Sequence, residues 1–459
     1  MATQVNPPRG MRDFLPEEKA RRERVLSVIR DTYRAHGFDE IETPVVEDSS
    51  RLHAGLGGDN EKLAFGILKR GLTAEDLAAA TDPLDLADLG LRFDLTVPLT
   101  RFYATHRAAL PSVFRSIQLG SVWRAERPQK GRYRQFVQCD IDIIGDATGL
   151  AEAELIVASL ATFGALGLDG VTMRVNDRRI LTGLLDHLGF PAESHAGVLV
   201  TLDKLDKVGP DGVVAELESN GAAVNLDHAD AVAALHAFLT RPQAAESHGY
   251  GEQQIRAALP DGFDSPAVAD LAALGESVAG ALSENRAGAL GAGSDTAGSR
   301  SDGPGAAGDL PLVFDPFLVR GMGYYTGAIF EAVHPSAGYS LGGGGRYDGM
   351  IGGFLGTEVP ATGFSIGFER IVDLVTLRDD ASADAVVLLH DSDADLGRLV
   401  ALKAELIAQG RRVRLERAPR NVKAMLDALA ASGYSQFAHV GDAATAADLD
   451  FRDLSASVR

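Results

Sequence analysis

The chain has 459 residues, 45% of them hydrophobic and 24% charged, and its 44 Lys and Arg residues against 64 Asp and Glu residues leave a net charge of −20. A chain of this length is expected to fold as roughly two to four domains. Its single cysteine excludes an intrachain disulfide, and we expect no metal centre built from side chains. The acidic balance argues against non-specific coating of nucleic acid but leaves room for a local basic surface.

The N-terminal residues lack the apolar stretch of a secretory signal. Nowhere along the chain do roughly 18 uncharged apolar residues run together, as a membrane span would need. The sequence therefore predicts a cytoplasmic protein that does not associate with a membrane.

The first elements are a helix and an irregular extended segment. Pro16, followed by two acidic residues, is typical of a helix start, and apolar residues at helical spacing continue the pattern to Gly37. Residues 38–47, FDEIETPVVE, alternate but contain Pro44, which a central strand does not tolerate. We expect an edge strand or an interface there.

Two later segments, residues 91–102 (LRFDLTVPLTRF) and 135–145 (QFVQCDIDIIG), alternate apolar and polar residues and are predicted to be strands with one polar face. No reliable helix separates the strand patterns here, so an antiparallel sheet is favoured over a doubly wound one. A carboxylate pair such as Asp94 and Asp142 could bind an ammonium group or an imidazole N–H, although an ordinary solvated face explains either strand alone.

A basic run lies between strand patterns at residues 121–136, SVWRAERPQKGRYRQF, where only Glu126 opposes five cationic side chains. One guanidinium group can bind two phosphate oxygens at once, so a hairpin of this kind could hold a polyphosphate or a nucleic-acid end. Phe136 could offer a stacking face to a base. A solvated loop is the alternative. The cations are Arg124, Arg127, Lys130, Arg132 and Arg134.

The middle of the chain is predicted to be mainly helical, from about residue 148 to residue 285, and the Gly/Ala/Ser-rich residues 286–309 are predicted to be a flexible surface excursion. The glycines of GGGGR, residues 342–346, either let backbone approach a ligand or form a mobile loop. GFSIG around Ser365 matches a nucleophile-elbow pattern, but no apolar strand leads into it, so we interpret it as a chance match.

The last part of the chain alternates strand and helix patterns, which predicts a small α/β domain with a parallel sheet. It contains a second basic run between Arg411 and Lys423. Either a nucleic-acid contact or a solvated charged face would explain that run.

Taken together, these segments resemble class II aminoacyl-tRNA synthetases, and closely the histidyl-tRNA synthetase family. Residues 38–47 are similar to motif 1, residues 114–136 to motif 2 and residues 361–371 to motif 3. LVRGMGYYTGAIFE (318–331) and GGGGRYDGMIGG (342–353) are similar to the two segments that distinguish the histidine family.

The resemblance implies an α+β catalytic domain, with an antiparallel sheet flanked by helices, over residues 1–168 and 311–378. It also implies a mostly helical insertion over 169–310 and a small C-terminal α/β domain over 382–459 that binds the anticodon stem and loop.

The implied activity joins L-histidine to ATP, with Mg²⁺, and passes the histidine to tRNA(His); the implied assembly is a homodimer. The implied histidine-binding residues are Asp94, Leu95, Thr96, Gln138, Asp142, Tyr324 and Tyr325. The implied ATP-binding residues are Arg124, Glu126, Phe136, Arg320 and Arg370, of which Arg124 and Arg320 are catalytic. The resemblance also implies that Gln129 and Lys130 face the tRNA acceptor end and that Pro44 lies at the dimer interface.

One position departs from the family pattern, because Gly323 stands where the family usually has an aspartate. The change removes a carboxylate and costs backbone rigidity, roughly 0.5–1 kcal/mol. Two alternatives remain: a non-charging paralogue that binds histidine as a regulatory subunit of histidine biosynthesis, and a module that only recognises RNA. The C-terminal domain and the arginines favour the enzyme over the first, and the two polar strand faces favour it over the second.

Overall fold

The chain divides into two compact units. The larger comprises Met1–Arg12 and Leu26–Val375, and the smaller comprises Asp13–Val25 and Thr376–Arg459. The computed structural model describes residues 5–53, 63–128, 132–219, 229–241, 250–291, 310–320, 323–375, 385–419 and 422–454.

The larger unit contains the strands that build two sheets. In chain order they are Asp39–Glu40 (β1), Val46–Asp48 (β2), Phe65–Leu68 (β3), Ala87–Leu91 (β4), Phe114–Trp123 (β5), Gln135–Ile144 (β6), Thr172–Asp177 (β7), Leu312–Phe314 (β8), Ala328–Val333 (β9), Gly342–Arg346 (β10) and Ala361–Gly367 (β11).

The main sheet has the order β1-β5-β6-β11-β10-β9-β7-β8, and a smaller sheet has the order β2-β4-β3. The middle strands of the main sheet, from β5 to β7 in that order, pair antiparallel. At the two edges β1 pairs with β5 and β8 pairs with β7 in parallel. The predicted α+β class with an antiparallel sheet is confirmed, and the parallel edge pairs are an addition to it.

Helices flank the sheets and fill most of residues 148–285, the part of the chain predicted to be mainly helical, although strand β7 interrupts it. Of residues 286–309, predicted to be a flexible excursion, 286–291 belong to a helix, so the prediction is wrong there, and 292–309 lie outside the described residues. No helix in the described ranges is long and apolar enough to cross a bilayer. The helices are Pro16–Ala35 (α1), Ser49–Leu52 (α2), Ala74–Ala79 (α3), Thr96–His106 (α4), Leu150–Ala165 (α5), Arg178–His187 (α6), His195–Leu202 (α7), Leu205–Ser219 (α8), Ala229–Leu239 (α9), Glu252–Ala258 (α10), Pro266–Gly291 (α11), Asp348–Leu355 (α12) and Phe368–Ile371 (α13).

One apolar face of the main sheet packs on α5. Phe364 of β11 contacts Phe163 of α5 edge to face, with ring centroids 6.5 Å apart, and stacks on Phe330 of β9 at 6.0 Å. All three rings are buried. Because side chains alternate along a strand, this arrangement leaves the opposite face of β6, β11 and β9 for polar residues.

The strand predicted for residues 91–102 is wrong. Strand β4 ends at Leu91 and helix α4 begins at Thr96, because Asp94 Oδ1 accepts the backbone N–H of Val97 at 3.1 Å and caps the first turn. Pro98 fits this turn because the N–H it lacks needs no partner there. The strand predicted for 135–145 is confirmed by β6.

The smaller unit has a four-stranded sheet with helices on both faces. Strand β12 pairs in parallel with β13 and β14, and β15 closes the other edge antiparallel. Alternate residues of β12 enter two apolar clusters, one with α14 and one with α15. The predicted small α/β fold is therefore confirmed. Its elements are Ala385–His390 (β12), Leu396–Ala408 (α14), Arg412–Arg417 (β13), Val422–Ala431 (α15), Gln436–His439 (β14) and Arg452–Asp453 (β15).

Candidate active site

A row of polar residues crosses the main sheet on the face opposite α5. Residues paired directly across neighbouring strands point to the same side, so the pairing register alone places this row on one surface. In order across β5, β6, β11, β10, β9 and β7, the row is Gln118, Asp140, Ser365, Gly343, Glu331 and Arg174.

The glycines of β10 make room above the middle of this surface. A Cβ atom on Gly343 would lie 2.6 Å from Cζ of Arg320, and one on Gly345 would lie 2.9 Å from Cδ1 of Tyr325. The glycine run is therefore a central strand of the sheet. Because these glycines have no side chains, Arg320 and Tyr325 can occupy the space above the strand.

Arg320 is held at this place by a carboxylate of the neighbouring strand. Its Nη1 donates to Oε2 of Glu331 at 2.8 Å, and about a quarter of the Arg320 side chain is exposed. Burial alone would lower the pKa of Arg320, but the adjacent Tyr325 and Glu331 outweigh it and raise that pKa. The guanidinium group therefore stays charged, and part of the Arg320 side chain reaches solvent.

Three carboxyl groups are buried close to one another on this face. Burial raises the pKa of Asp94 to about 6, although the backbone N–H of Val97 and the charge of Arg124 both act to lower it. Burial also raises the pKa of Asp142 to about 7, against the hydroxyl of Tyr347, which donates to Asp142 Oδ1 at 2.6 Å. For Asp140, burial and the neighbouring Asp142 both raise the pKa well above its usual range.

Several acceptor atoms in this cluster have no hydrogen-bond partner among the described residues. They are buried, and each buried acceptor that stays unpaired costs about 1–3 kcal/mol. A bound group rich in N–H donors, such as an ammonium ion, would satisfy them and stabilise the ionised carboxylates. The atoms are Asp94 Oδ2, Gln138 Oε1 and Asp140 Oδ1.

Tyrosine rings line the same region. The rings of Tyr324 and Tyr325 lie 4.8 Å apart, and Tyr324 meets Tyr347 edge on at 6.1 Å. Burial raises the pKa of Tyr324 well above its usual range, and Asp94 adds to that rise. Neutral phenols are thus placed beside buried carboxyl groups, which suits them to hydrogen-bond a polar ring.

Arg124 connects the carboxyl cluster to an aromatic ring. Its Nε donates to the carbonyl of Phe93 at 3.1 Å, and its Cζ lies 5.0 Å from the centroid of Phe136. The charge of Arg124 opposes the rise in the pKa of both Asp94 and Asp140. It therefore lies between the carboxyl groups and Phe136.

Several guanidinium groups gather on this side of the site. Arg370 Nη1 donates to the carbonyl of Ser340 at 2.7 Å. Burial lowers the pKa of Arg370, and the positive charges of Arg132, Arg320 and Arg124 lower it further. Such a concentration of like charge binds a polyanion well.

Of the other predicted site residues, Leu95 is buried and its carbonyl accepts from Gln118 Nε2 at 3.0 Å. Thr96 is the first residue of α4, and Pro44 is exposed next to the edge strand β1. Glu126 lies 3.9 Å from Arg132 and is 38% exposed. Gln129 and Lys130 lie outside the described residues. Gly323 is exposed.

The predicted site residues did not include Asp140, Glu331 or Tyr347, although strand alternation places Asp140 on the same face as Asp142. Glu331 was detectable, because it is the one charge in the apolar strand AIFEAV. Tyr347 lies in the family-like segment 342–353, but the sequence did not indicate its contact with Asp142, which lies 205 positions away in the chain.

Comparisons with known proteins agree with this fold. A crystal structure of histidyl-tRNA synthetase from Nostoc sp. PCC 7120 covers 99% of this chain and 96% of its own, with a TM-score of 0.68 at 24% identity. A Bacillus halodurans structure titled ATP phosphoribosyltransferase regulatory subunit/histidyl-tRNA synthetase covers 96% of this chain and 99% of its own, with a TM-score of 0.69 at 21% identity. At these identities the two structures show a shared fold.

The sequence relatives identify the family. The profile of the family described as histidyl-tRNA synthetase matches residues 10–371. A histidine-tRNA ligase of Leifsonia xyli subsp. xyli is 58% identical over 99% of this chain and 100% of its own length. A histidine-tRNA ligase of Aeropyrum pernix is 37% identical over 80% of this chain and 73% of its own. The chain belongs to the histidyl-tRNA synthetase family, which confirms the resemblance seen in the sequence.

The buried carboxyl groups predict a specific pH dependence of stability. The pKa of Asp142 is about 7 in the fold against an ordinary value of 3.8, so between these values the unfolded chain releases a proton that the folded chain keeps. Stability from this group therefore falls as pH rises through that window. We expect Asp142→Asn to gain about 1–3 kcal/mol relative to the unaltered protein between about pH 5.5 and pH 8.

Thermal melting of both proteins at the two pH values, without ligand, measures this effect. A difference in melting temperature that does not change with pH would contradict the burial of an ionisable Asp142.

Proposed function

We propose that the protein is a histidine-tRNA ligase that activates L-histidine with ATP and then transfers it to tRNA(His). The predicted enzyme class is confirmed by the relative that is 58% identical over nearly the whole chain. The structural observation that carries the proposal is the position of unpaired, buried carboxyl oxygens next to a group of guanidinium side chains. The carboxyl oxygens suit the ammonium group of an amino acid, and the guanidinium groups suit the phosphates of a nucleoside triphosphate.

The amino acid binds at the carboxyl cluster. Asp94, with the unpaired Oδ2, accepts the α-ammonium group, and Thr96 assists at the start of α4. Gln138, whose Nε2 lies 3.2 Å from Ser365 Oγ, helps to place the carboxylate end. Asp142, with the phenols of Tyr324 and Tyr325, reads the imidazole ring. A site that hydrogen-bonds a side-chain N–H rejects ligands without one by up to roughly 10⁴- to 10⁵-fold.

The nucleotide binds at the guanidinium groups. Arg124 and Arg320 lie on the α-phosphate, and Phe136 and Arg370 enclose the adenine with Glu126 near its edge. A carboxylate oxygen of histidine attacks the α-phosphorus, the bond from that phosphorus to the bridging oxygen breaks, and pyrophosphate leaves with the bonding electrons. The fixed positive charges stabilise the phosphoryl oxygens as charge builds up on them. The protein needs no nucleophile of its own.

Mg²⁺ belongs to this reaction as the counter-ion of the triphosphate. The described residues contain no group of three acidic, histidine or cysteine side chains that could hold a metal ion. In nucleotide sites Mg²⁺ usually keeps several waters and binds substrate phosphates together with one or two carboxylates.

The remaining proposals concern partners and organisation. Gln129 and Lys130 face the tRNA acceptor end, and residues 382–459 bind the anticodon stem and loop. The enzyme is a cytoplasmic homodimer, supported by the exposed Pro44 beside an open sheet edge. Sedimentation as a monomer would count against the dimer. We propose the domain boundaries that the sequence predicts, at residues 168, 310 and 382. Strand β7 is the part of 169–310 that joins the main sheet.

A non-charging paralogue is the second candidate, because the Bacillus halodurans protein with this fold carries a regulatory-subunit title. The group of guanidinium side chains favours the enzyme, since a subunit that only binds histidine needs no polyphosphate site. ATP-pyrophosphate exchange that depends on histidine separates the two candidates in one assay.

Substitutions in the two halves of the site should have separable effects on that exchange. We expect Asp142→Ala to raise the KM of histidine strongly, because the imidazole loses its buried acceptor, and to leave tRNA affinity near normal. We expect Arg320→Met to lower the exchange rate by about 100- to 1,000-fold with a smaller change in histidine affinity. Unchanged kinetics in both variants would rule out these roles.

The basic strand of the smaller unit should govern how tRNA binding depends on salt. Arg412 and Arg417 are exposed on β13, at the edge of the sheet. If both contact phosphates, Arg412→Gln with Arg417→Gln should lower tRNA affinity and reduce the slope of log K against log salt by about 2. Filter binding over a salt series measures this slope. An unchanged slope would assign the basic strand another role.

A further inference from the structure

We propose that Arg174 is a positioning residue for the activation step, because it shares the carboxylate of Glu331 with Arg320 and so keeps Arg320 available to ATP. The inference rests on the proposed function and concerns how Arg320 is controlled within it. Arg174 lies on β7, at the start of the region that leads into the helical segments.

Two guanidinium groups meet the Glu331 carboxylate from opposite sides. Arg174 is paired directly with Glu331 in the β7–β9 register, and its Nη1 lies 3.6 Å from Glu331 Oε1. Arg320 Nη1 donates to the other oxygen, Oε2, at 2.8 Å. Only about 16% of the Glu331 side chain is exposed, so these contacts are shielded from solvent.

Arg174 is itself fixed by the segment that carries Arg320. Its Nε donates to Oδ2 of Asp315 at 2.6 Å, and Oδ1 of Asp315 accepts the backbone N–H of Phe317 at 2.9 Å. On the same strand, Asn176 Nδ2 donates to the carbonyl of Leu318 at 3.2 Å. Side chains of strand β7 therefore contact both the Glu331 carboxylate that binds Arg320 and the segment 315–318 that leads to Arg320.

The electrostatic consequence concerns competition for Arg320. A phosphate must replace or share the bond between Arg320 and Glu331, because both are anions that seek the same guanidinium group. The positive charge of Arg174 repels Arg320 and offsets part of the attraction of Glu331, so Arg320 is held less tightly than it would be by a carboxylate with no second cation. Removing Arg174 therefore leaves Glu331 to hold Arg320 more tightly, and ATP should compete less well.

Helical residues also reach this network. Asp206 of α8 lies 3.4 Å from Arg174 Nη1, and the charge of Arg320 opposes the rise that burial causes in the pKa of Asp203. Arg174 thus has three acidic neighbours, Asp315, Asp206 and Glu331. Glu331 is the one that bonds to Arg320.

Arg179 provides a matched control. Arg179 is the second residue of helix α6, which directly follows strand β7. It forms ion pairs at 2.9 Å with Asp177 and with Asp270. Arg179→Met removes an arginine with two acidic partners and Arg174→Met removes one with three, and only the second variant loses a contact with Glu331. A difference between the two variants therefore reports on Glu331 and Arg320.

The experiment is a double-mutant cycle on the full-length enzyme, read by the KM of ATP and the rate of ATP-pyrophosphate exchange. We expect Arg174→Met to raise the KM of ATP roughly tenfold and to change the KM of histidine less than about twofold, a size usual for indirect positioning contacts. In a Glu331→Gln background, the same substitution should change the KM of ATP less than about twofold. Arg179→Met should leave the KM of ATP unchanged.

A structural role for Arg174 predicts a different result. The effect of Arg174→Met would then be the same in both backgrounds and would follow the melting temperature, and that outcome overturns the proposal. If Arg174→Met does not fold, Arg174→Lys keeps the charge and loses the paired bond to Asp315. We expect it to keep the KM of ATP within about threefold, and a tenfold rise there would also overturn the proposal.

Calorimetric ATP affinity of the same variants separates this inference from the proposed function. An unaltered protein without histidine-dependent exchange contradicts the proposed function. In that case the effect of Arg174→Met on ATP affinity, in both backgrounds, still decides whether Arg174 controls Arg320.

Discussion

The site depends on one constraint, which is that the central strand of the sheet must be bare on the face that carries the polar row. Strand β10 supplies glycine where Arg320 and Tyr325 need space, and its register places Gly343 between Ser365 and Glu331. The opposite face of the same strand packs closely as well, since a Cβ on Gly344 would lie 1.9 Å from the carbonyl oxygen of Gly363. Both the fold and the ligand site therefore require glycine in this strand.

Charge on this surface is separated into two regions within an acidic chain. Buried carboxyl groups with raised pKa values form one region, and guanidinium groups that depress the pKa of Arg370 form the other. A chain with a net charge of −20 would repel ATP and tRNA from most of its surface. The local guanidinium groups offset that repulsion at the place where we propose that phosphate binds, while the carboxyl groups next to them suit an amino acid.

Sequence patterns predicted part of this arrangement, and the reasons for the failures are physical. Alternation correctly predicted β6 and its polar face, because side chains alternate in any strand. The same alternation failed for residues 91–102, where the side chain of Asp94 caps a helix instead of lining a strand. The links from Tyr347 to Asp142 and from Arg174 to Glu331 join residues far apart in the chain, so only the folded structure reveals them, the first as a side-chain hydrogen bond and the second as a pair in the strand register.

The substitution Gly343→Ala tests whether Arg320 needs the bare face of strand β10. Its Cβ would displace the flexible end of Arg320 and would leave the face packed on α5 untouched, whereas Gly349→Ala in α12 meets no atom within 4 Å and serves as the control. We expect Gly343→Ala to lower histidine-dependent ATP-pyrophosphate exchange by about 100-fold, with histidine affinity and melting temperature nearly unchanged. Exchange at the rate of the unaltered enzyme would contradict it.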